Sequence, residues 1–372
     1  MGFCPVCSGP TKVFVRRDRL PALNNLTYAT REAARSAPAG RFALATCQSC
    51  GFSHNEEFQS ELAIYDENYD NYVESPVFNA YYGDLAQLIR RRFELENGIV
   101  YEIGCGSGEF LKILCAAVPS VSGVGIDPSC QDTQEGNFRL INGTLENVSV
   151  DPDARLVILR HVLEHIDDPV AFLETLHQAF PRAPFFIEVP DFDWTLANGV
   201  FWDLLYEHCN YFTLPTMCFA LGTAGFNVVE QQRSFGGQYQ WAICDPTTRS
   251  VPPNRDANSD LAAVEAYSEL EVARFETVCS LSEGTDHFVL WGMSGKGVIL
   301  AALLPEGQVA GGIDMNSAKQ GRYAPMSGVQ IHSPEWLNSL GATTVLVMNP
   351  NYLDEIGDLI QRLDIQANLI TT

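Results

Sequence analysis

Glu102-Ile103-Gly104-Cys105-Gly106-Ser107-Gly108 is the stretch that decides the fold of this 372-residue chain. It ends an apolar run, 99–103, that predicts a β-strand, and it opens a segment, 109–118, that predicts a helix. The glycines let the chain turn sharply and let a ligand lie against bare backbone. The dinucleotide pattern G-x-G-x-x-G does not fit, because the third glycine comes one residue early. The stretch therefore predicts a strand, a ligand-binding loop and a helix in succession.

Strand and helix patterns continue to alternate beyond this loop. That order predicts an α/β fold whose doubly wound parallel sheet is closed by an antiparallel hairpin, followed by a Rossmann-like α/β unit. In the first unit the predicted strands are 121–126, 155–159 and 185–189, the helices 77–95, 169–180 and 215–224, and the hairpin strands 227–232 and 238–244. In the second unit the predicted strands are 287–291, 309–313 and 344–347.

The pattern E-x-G-x-G-x-G resembles motif I of class I methyltransferases, in which S-adenosylmethionine lies over the loop. Asp127 supports this resemblance, because it ends the second strand, where a carboxylate can accept both ribose hydroxyls. The alternative is a glycine-rich turn with an incidental acid. The candidate cofactor-binding residues are Glu102, Gly104, Cys105, Gly106, Gly108, Asp127, Tyr69 and His161.

Two C-x-x-C pairs stand out among the eleven cysteines, Cys4 with Cys7 and Cys47 with Cys50. Two such knuckles supply four thiolates to one tetrahedral zinc ion. The alternatives are disulfides or redox pairs. A disulfide is less expected without a secretion signal, and neither pair opens a helix after a core strand. The pairs therefore predict a closed, structural zinc site, with residues 16–41 looping out between them.

The charge balance restricts the partners of the chain. Forty-six acidic side chains against twenty-three basic ones give a net charge of −23, and a surface that follows phosphates needs local positive charge. Broad nucleic-acid binding is therefore not expected. No apolar run approaches the roughly 18–20 residues that span a bilayer, and the N-terminus lacks the features of a signal peptide. We expect a cytoplasmic protein that binds a small molecule, as a monomer or a homodimer.

Composition and pattern divide the chain into three predicted domains. Residues 1–60 form a zinc-binding lobe, 61–246 a methyltransferase domain, and 247–372 a C-terminal α/β domain. A linker rich in proline and threonine at 245–253 and a bridging helix at 258–282 connect the last two domains.

The segment His161-Val162-Leu163-Glu164-His165 matches the H-x-x-E-H pattern of inverzincin proteases. That chemistry needs both histidines on one face of a helix, whereas this segment directly follows an apolar strand and precedes a helix start at Pro169. At the carboxyl end of a strand it borders the crevice where ligands bind. We therefore interpret His161 and His165 as residues that line the pocket rather than as metal ligands. The alternative is that they are simply packed and hydrogen-bonded.

The segment Tyr206-Glu207-His208 is the candidate for proton transfer. A carbon nucleophile forms only when a C–H beside a carbonyl loses its proton, and histidine is a base of suitable pKa. We predict His208 as the base and Glu207 as the group that orients or polarises it, with His165 and Tyr206 close by. The alternative is a buried His208 whose ring is satisfied by backbone groups.

Over nearly all of its length the chain resembles the sugar C-methyltransferases of deoxysugar pathways. These proteins have a four-cysteine zinc domain, a class I methyltransferase domain and a C-terminal α/β domain, and they methylate C3 of a dTDP-linked 4-keto hexose. The E-H of their catalytic segment matches Glu207-His208, and their L-x-H-I matches 163–166, with the histidine lining the active site. Two positions depart from the family. Its catalytic tyrosine falls on Leu205, and an asparagine falls on His161.

The resemblance extends to the C-terminal domain and implies a nucleotide-linked sugar as acceptor. Residues 314–322 resemble the family's D-x-x-x-x-K-Q-x-R, and 291–297 resemble its G-x-x-x-x-K loop. An acidic protein binds an anionic acceptor only where basic groups are concentrated. The alternative for the basic side chains is an ordinary solvated surface. The candidate substrate-binding residues are Lys296, Lys319, Arg322, Asn349 and Gly237.

Two other functions remain open from the sequence. The same base could act on an O–H or N–H group, which would make the chain an O- or N-methyltransferase of another small metabolite. Alternatively, the chain could be a zinc-bearing binding or scaffold protein with a vestigial methyltransferase domain.

Overall fold

The computed structural model describes residues 2–66, 68–70, 72–248 and 255–371. Residues 249–253 of the predicted linker lie outside the described residues. Within these ranges the strands form three sheets. No helix in the described ranges combines the length and the hydropathy that crossing a bilayer requires.

The N-terminal sheet is antiparallel, with the order β1-β2-β3-β10. Its last strand comes from the sequence after the central sheet, because Asn210 pairs with His54 and Tyr211 with Ser53. The lobe is therefore bonded directly to the segment that follows His208. The elements are β1 (Thr11–Pro21), α1 (Arg31–Arg35), β2 (Ala39–Cys47), β3 (Ser53–Asn55) and β10 (Asn210–Tyr211).

The prediction that residues 16–41 loop out is wrong for both ends of that segment. β1 pairs with β2 from Thr11 opposite Cys47 to Pro21 opposite Ala39. The charged run 16–19 conceals this strand in the sequence, and irregular register after Val13 and Arg17 interrupts its alternation. The segment outside the strands is therefore only 22–38, and it carries α1.

The central sheet has the order β11-β12-β9-β8-β4-β5-β7-β6. Strands β4, β5, β7, β8 and β9 are parallel, and β12 and β11 continue the sheet as an antiparallel pair. The predicted doubly wound sheet with its hairpin is confirmed. Its strands are β4 (Gly98–Ile103), β5 (Val121–Asp127), β6 (Thr133–Glu135), β7 (Phe138–Asn142), β8 (Leu156–Arg160), β9 (Phe185–Pro190), β11 (Asn227–Ser234) and β12 (Tyr239–Asp245).

The four helices predicted for this unit are present to within a few residues of their predicted bounds, whereas the helix Phe192–Asn198 was not predicted. Capping explains several starts, since Ser75 accepts a hydrogen bond from the backbone N–H of Phe78, and Asp168 does the same for Ala171. The hairpin of β6 and β7 was not predicted. β6 is short and fully exposed and so carries no apolar alternation, and β7 is a short strand with only two buried residues. The helices are α2 (Pro76–Arg92), α3 (Glu109–Ala117), α4 (Pro169–Ala179), α5 (Phe192–Asn198) and α6 (Leu214–Thr223).

The C-terminal sheet is parallel throughout, with the order β15-β14-β13-β16-β17. One buried core joins it to the other units, since Phe42, Trp202 and Phe288 belong to the same cluster of packed side chains. The elements are α7 (Asn258–Glu283), β13 (His287–Trp291), α8 (Gly295–Leu303), β14 (Gly311–Ile313), β15 (Ile331–His332), β16 (Thr343–Val347), α9 (Leu353–Arg362) and β17 (Asn368–Ile370).

Candidate active site

A crevice of about 570 Å³ opens at the carboxyl ends of the central strands. β4 lies between β5 and β8 in the sheet. The connections that follow these neighbouring strands therefore run to opposite sides of β4, and a crevice opens between them. Its lining also includes Tyr65 and Tyr69 from the N-terminal region, and Trp291 and Asn349 from the C-terminal unit. The volume is that of a site for small molecules.

The glycine loop forms one end of this crevice. Gly104, Gly106 and Gly108 have φ angles of 73°, 53° and 78°, in the left-handed region that favours glycine. A Cβ atom on Gly104 would lie 2.3 Å from Cγ2 of Val162, so a side chain there would collide with the segment that follows β8. The loop is therefore a bare backbone cradle.

Asp127 holds the cradle in shape. Its Oδ2 accepts a hydrogen bond of 2.8 Å from the backbone N–H of Gly106, and its Oδ1 accepts bonds from the backbone and hydroxyl of Ser129. The carboxylate lines the crevice with Cys105, while Gly108 lies beside Leu140 below the loop. The cradle and its acid are consistent with binding of an adenosyl group, and Glu102, Gly104, Gly106 and Asp127 are the residues that would hold it.

Glu102 is a buried carboxylic acid near the end of β4. Burial raises the pKa of its carboxyl group to about 7, against the opposing effect of the nearby Arg160 guanidinium. Its Oε2 is buried without a hydrogen-bond partner among the described residues. A buried polar atom of this kind indicates a missing donor, such as the ammonium group of an amino-acid ligand.

We expect the affinity for S-adenosylhomocysteine to rise about tenfold between pH 6 and pH 8, because binding of its ammonium group needs the ionised form of Glu102. In Glu102→Gln the affinity should be weaker at pH 8 and nearly independent of pH. Titration calorimetry at both pH values measures this. An equally steep rise in the variant would contradict the role of Glu102.

The carboxyl group of Glu102 also makes stability depend on pH, in the direction opposite to the affinity for S-adenosylhomocysteine. Its pKa is raised above the unfolded value, so the folded state binds more protons between about pH 4.5 and pH 7, and stability falls as pH rises through that window. Glu102→Gln should therefore unfold at higher denaturant concentration than the unchanged protein at pH 8. The gain should be about 3 kcal/mol at most.

A cluster of hydroxyl, carboxylate and imidazole groups lies in the middle of the crevice. Tyr69 and Tyr65 donate hydrogen bonds of 2.9 and 3.2 Å to Oε2 of Glu207. Oε1 of Glu207 accepts bonds from the backbone and side-chain nitrogens of Asn24. The carboxylate of Glu207 thus anchors the N-terminal segments to the site, and Tyr69, predicted to bind the cofactor, lies beside it.

His165 is fixed by the same cluster. Its Nδ1 lies 3.0 Å from the backbone carbonyl of Glu207 and 2.8 Å from the Tyr65 hydroxyl. Because a carbonyl oxygen only accepts, we assign the ring proton to Nδ1. That tautomer leaves the lone pair of Nε2 available to another partner.

His208 packs edge-to-face on His165, with ring centroids 4.8 Å apart. Burial lowers the pKa of the His208 imidazole to about 3, and the neighbouring His165 adds to this effect. The ring is therefore neutral near pH 7. His161 lies on the other side of the cluster, where its Nδ1 is 3.4 Å from Oε1 of Glu164.

The structure does not bring Tyr206 to this cluster. Its hydroxyl accepts a hydrogen bond of 2.9 Å from the backbone N–H of Gln59, and its ring covers Gly40 in the core of the lobe. Leu205 and Glu207 line the crevice instead. Tyr206 and Glu207 occupy a turn, in which the Tyr206 side chain contacts the lobe while the Glu207 side chain lines the crevice.

The predicted substrate-binding residues are only partly gathered at the crevice. Lys296 and Asn349 belong to its lining, and both contact Gln238. Lys319 and Arg322 are not among the described residues that line the crevice. Lys319 is buried against Ser294, and Arg322 donates both of its bonds to Thr27.

Among the described residues, Gly237 also does not line the crevice. It lies next to Trp194, because a Cβ there would be 3.4 Å from that ring. Trp194 in turn packs under the ammonium group of Lys296, whose Nζ also lies 3.1 Å from Asp203. The cation predicted for an anionic acceptor is thus already paired with a carboxylate.

Several residues of the site were not predicted. Arg160 ends β8 and donates a 2.9 Å bond to Glu188 within β9, with both side chains buried. A charged residue at the end of an otherwise apolar strand is a signal that the sequence does carry. Tyr65, Glu164 and Asn24 carry no such signal, because their roles depend on contacts between distant segments.

The four knuckle cysteines come together as predicted. Their Sγ atoms lie within 4.8 Å of one another, with separations such as 3.4 Å between Cys7 and Cys50, which is far beyond the bond length of a disulfide. Backbone N–H groups of Ser49 and Cys50 point at Sγ of Cys47. This donor set fits a tetrahedral zinc ion.

Comparisons with known proteins address the central domain. The family model described as "Methyltransferase domain" matches residues 78–231. A C-methyltransferase of Streptomyces niveus, NovU, is 25% identical over 303 residues, which are 74% of this chain and 72% of NovU.

Solved structures with partial similarity are also methyltransferases. The dimethyltransferase RosA of Streptomyces davawensis is 24% identical with a TM-score of 0.36, over 45% of this chain and 54% of RosA, so the chain spans about half of that protein. A Burkholderia thailandensis 1,6-didemethyltoxoflavin-N1-methyltransferase is 15% identical with a TM-score of 0.36, over 47% of this chain and 81% of that protein. From the family model, the similarity to NovU and the cradle at residues 104–108, we conclude that the chain is an S-adenosylmethionine-dependent methyltransferase.

Proposed function

We propose that the chain methylates a carbon atom beside the carbonyl group of a sugar, and that this sugar is linked to a nucleotide. The observation that carries the proposal is the cluster of His165, Glu207 and His208 in the same crevice as the glycine cradle. The C-methyltransferase NovU adds weaker support. S-adenosylmethionine, when bound, supplies a methyl group on a sulfonium.

The residues of the cluster would prepare the acceptor. A neutral imidazole can take the proton from a C–H beside a carbonyl, and His208 is the proposed base, with His165 beside it. Burial opposes protonation of His208, and the nearby carboxylate of Glu164, which acts to raise the pKa of this ring, would stabilise the imidazolium that forms. The hydroxyls of Tyr65 and Tyr69 lie at the same place and could donate to the enolate oxygen as its charge develops. Closure of the crevice by the C-terminal unit would keep water from the reacting carbon.

The C-terminal unit would hold the rest of the acceptor. Lys296 and the start of α8 at Gly295 line the crevice opposite the cluster. Backbone N–H groups at the beginning of a helix favour an anion, so the phosphates would lie there. Asn349 and Gln238 are bonded to each other at the same end and could exchange that bond for one to the ligand.

We also propose that the four cysteines hold a structural zinc ion, and that the chain divides at about residues 60 and 246 into a zinc lobe, a methyltransferase domain and a C-terminal domain. The converging thiols and the N–H groups directed at sulfur support the first proposal. The separate N-terminal, central and C-terminal sheets support the second.

Carbon-13-labelled S-adenosylmethionine and a dTDP-linked 4-keto sugar test the proposed function. The expected product carries the labelled methyl group on a ring carbon, which NMR distinguishes from a methyl group on oxygen or nitrogen. A methyl group on oxygen or nitrogen would establish the alternative chemistry. If S-adenosylhomocysteine does not bind in calorimetry, the enzyme assignment itself fails.

A further inference from the structure

We propose that the crevice contains a second metal site, distinct from the cysteine cluster, in which Glu164, His165 and His208 bind a divalent transition-metal ion. One ligand atom from each of these residues lies within 4.8 Å of the others. Ligands bonded at about 2.1 Å to one ion lie at most about 4.2 Å apart. Small side-chain adjustments would therefore complete the site.

The carboxylate of Glu164 is the first argument for an ion. Glu164 is 1% exposed, and its Oε2 is buried without a hydrogen-bond partner in the described part of the chain. An unmatched carboxylate oxygen in such a place destabilises the folded protein unless a cation or donor meets it. The other oxygen, Oε1, lies 3.4 Å from Nδ1 of His161, which would hold the carboxylate in place.

The orientation of His165 is the second argument. Its Nδ1–H donates to the backbone carbonyl of Glu207 at 3.0 Å and so leaves the Nε2 lone pair free. Histidines that bind metals are usually fixed in this way, with the second ring nitrogen bonded to a carbonyl or carboxylate. His208 packs against His165 and has no side-chain hydrogen bond among the described residues, so its ring nitrogens are also available.

The charge of the crevice is the third argument. The described residues of its lining include nine Asp or Glu side chains but only Arg160 and Lys296 as permanent cations. Arg160 is paired with Glu188, and Lys296 with Asp203. The remaining carboxylates would attract a divalent cation to this crevice.

The donor set selects the kind of ion. Two imidazoles and one carboxylate suit Mn²⁺, Fe²⁺, Co²⁺ or Zn²⁺ better than Mg²⁺ or Ca²⁺, which prefer oxygen ligands. Three protein ligands leave coordination positions open toward the crevice. The acceptor that fits these positions carries two neighbouring oxygens, such as the carbonyl and hydroxyl of an α-hydroxy ketone.

This inference rests on the proposed function and changes two assignments in it, those of His208 and of the Tyr65 and Tyr69 hydroxyls. With the ion bound, His208 is a ligand, and the ion acidifies the acceptor by holding its carbonyl oxygen. The carbon loses its proton through the Tyr65 or Tyr69 hydroxyl, which passes its own proton to the carboxylate of Glu207. The electron pair on the carbon then forms a bond to the methyl group, and the bond between that methyl group and sulfur breaks with its pair remaining on sulfur.

Manganese binding tests the site directly. The protein with its cysteine cluster filled by zinc is titrated with Mn²⁺, and electron paramagnetic resonance reports the free ion. We expect one bound Mn²⁺ per chain, and binding at least about 100-fold weaker in Glu164→Gln and in His208→Asn. Glu109→Gln is the matched control, since Glu109 lies at the rim of the same crevice paired with Lys112.

The outcomes separate the metal site from the proposed function. Absence of Mn²⁺ binding by the unchanged protein, or undiminished binding by Glu164→Gln, overturns the metal site. Calorimetry with S-adenosylhomocysteine on the same samples shows whether the cofactor crevice is intact. If cofactor binding persists while Mn²⁺ does not bind, only the metal site fails. If cofactor binding fails in the unchanged protein, the proposed function fails.

Discussion

Replacing His208 with asparagine should lower the rate of methyl transfer about a thousandfold, the middle of the range for loss of a positioned base. The residue lines the crevice that also contains the glycine cradle and residues of the C-terminal unit, and its ring packs against His165. Asparagine fills part of the space of the imidazole but can neither accept the proton nor replace a strong metal ligand. The loss is therefore expected whether His208 acts as base or as ligand.

The measurement is transfer of labelled methyl to the dTDP-linked 4-keto sugar, together with the affinity for S-adenosylhomocysteine. Affinity for the cofactor product should change little, because His208 does not belong to the cradle. His177→Asn is the control. That ring packs against Phe226 below the sheet, away from the crevice, and the variant should keep full activity. Full activity of His208→Asn would remove the residue from the reaction.

Replacing Cys7 with serine should destabilise the whole enzyme as well as its N-terminal lobe. A structural zinc ion contributes folding free energy directly, so its loss should lower the midpoint of thermal unfolding by about 10 °C or more. The effect should reach the active site. β3 leaves the knuckle at Cys50 and pairs with β10, and Asn55 donates a 2.8 Å hydrogen bond to the carbonyl of Cys209.

The packing of the lobe gives the same expectation. Phe52 contacts Phe212 edge-to-face at 5.2 Å, and the knuckle cysteines share a buried core with the central sheet. Loss of the ion should therefore shift the segment that carries Glu207 and His208, and activity should fall with stability. Elemental analysis should find one tightly held zinc ion that disappears in Cys7→Ser.

Cys279→Ser on α7 is the matched control, and it should retain both zinc and stability. Glu164→Gln separates the two metal sites, because it leaves the thiolates untouched. A protein that contains no zinc and unfolds at the same temperature after Cys7→Ser would contradict the zinc proposal.

The glycine cradle and the positions of four of the parallel strands along the sequence could be predicted because each depends on neighbouring residues. Apolar runs between turn-forming residues identify β4, β5, β8 and β9, and the glycine spacing identifies the loop. β1 was missed beyond Val15 because charged residues occupy a strand whose stability comes from its pairing with β2. β6 was missed because none of its side chains is buried.

The direction of side chains could not be predicted where the backbone lacks a regular period. Tyr206 and Glu207 are adjacent, yet one hydroxyl bonds to Gln59 in the lobe and the other side chain lies in the crevice. Lys319 resembles a substrate-binding residue by motif, but it is 1% exposed and bonded to Ser294. A motif gives the residue type at a position, whereas packing determines which neighbour the side chain meets.

By itself the sequence determined the cofactor cradle, the parallel sheet behind it and the two cysteine pairs, since these patterns are local and the backbone follows from them. Only the tertiary structure decided which polar groups share the crevice. Asn24 and Glu207 are 183 residues apart and meet through two hydrogen bonds, and Tyr65 reaches His165 across 100 residues. Such contacts depend on how the lobe packs against the sheet, and no spacing along the chain encodes that packing.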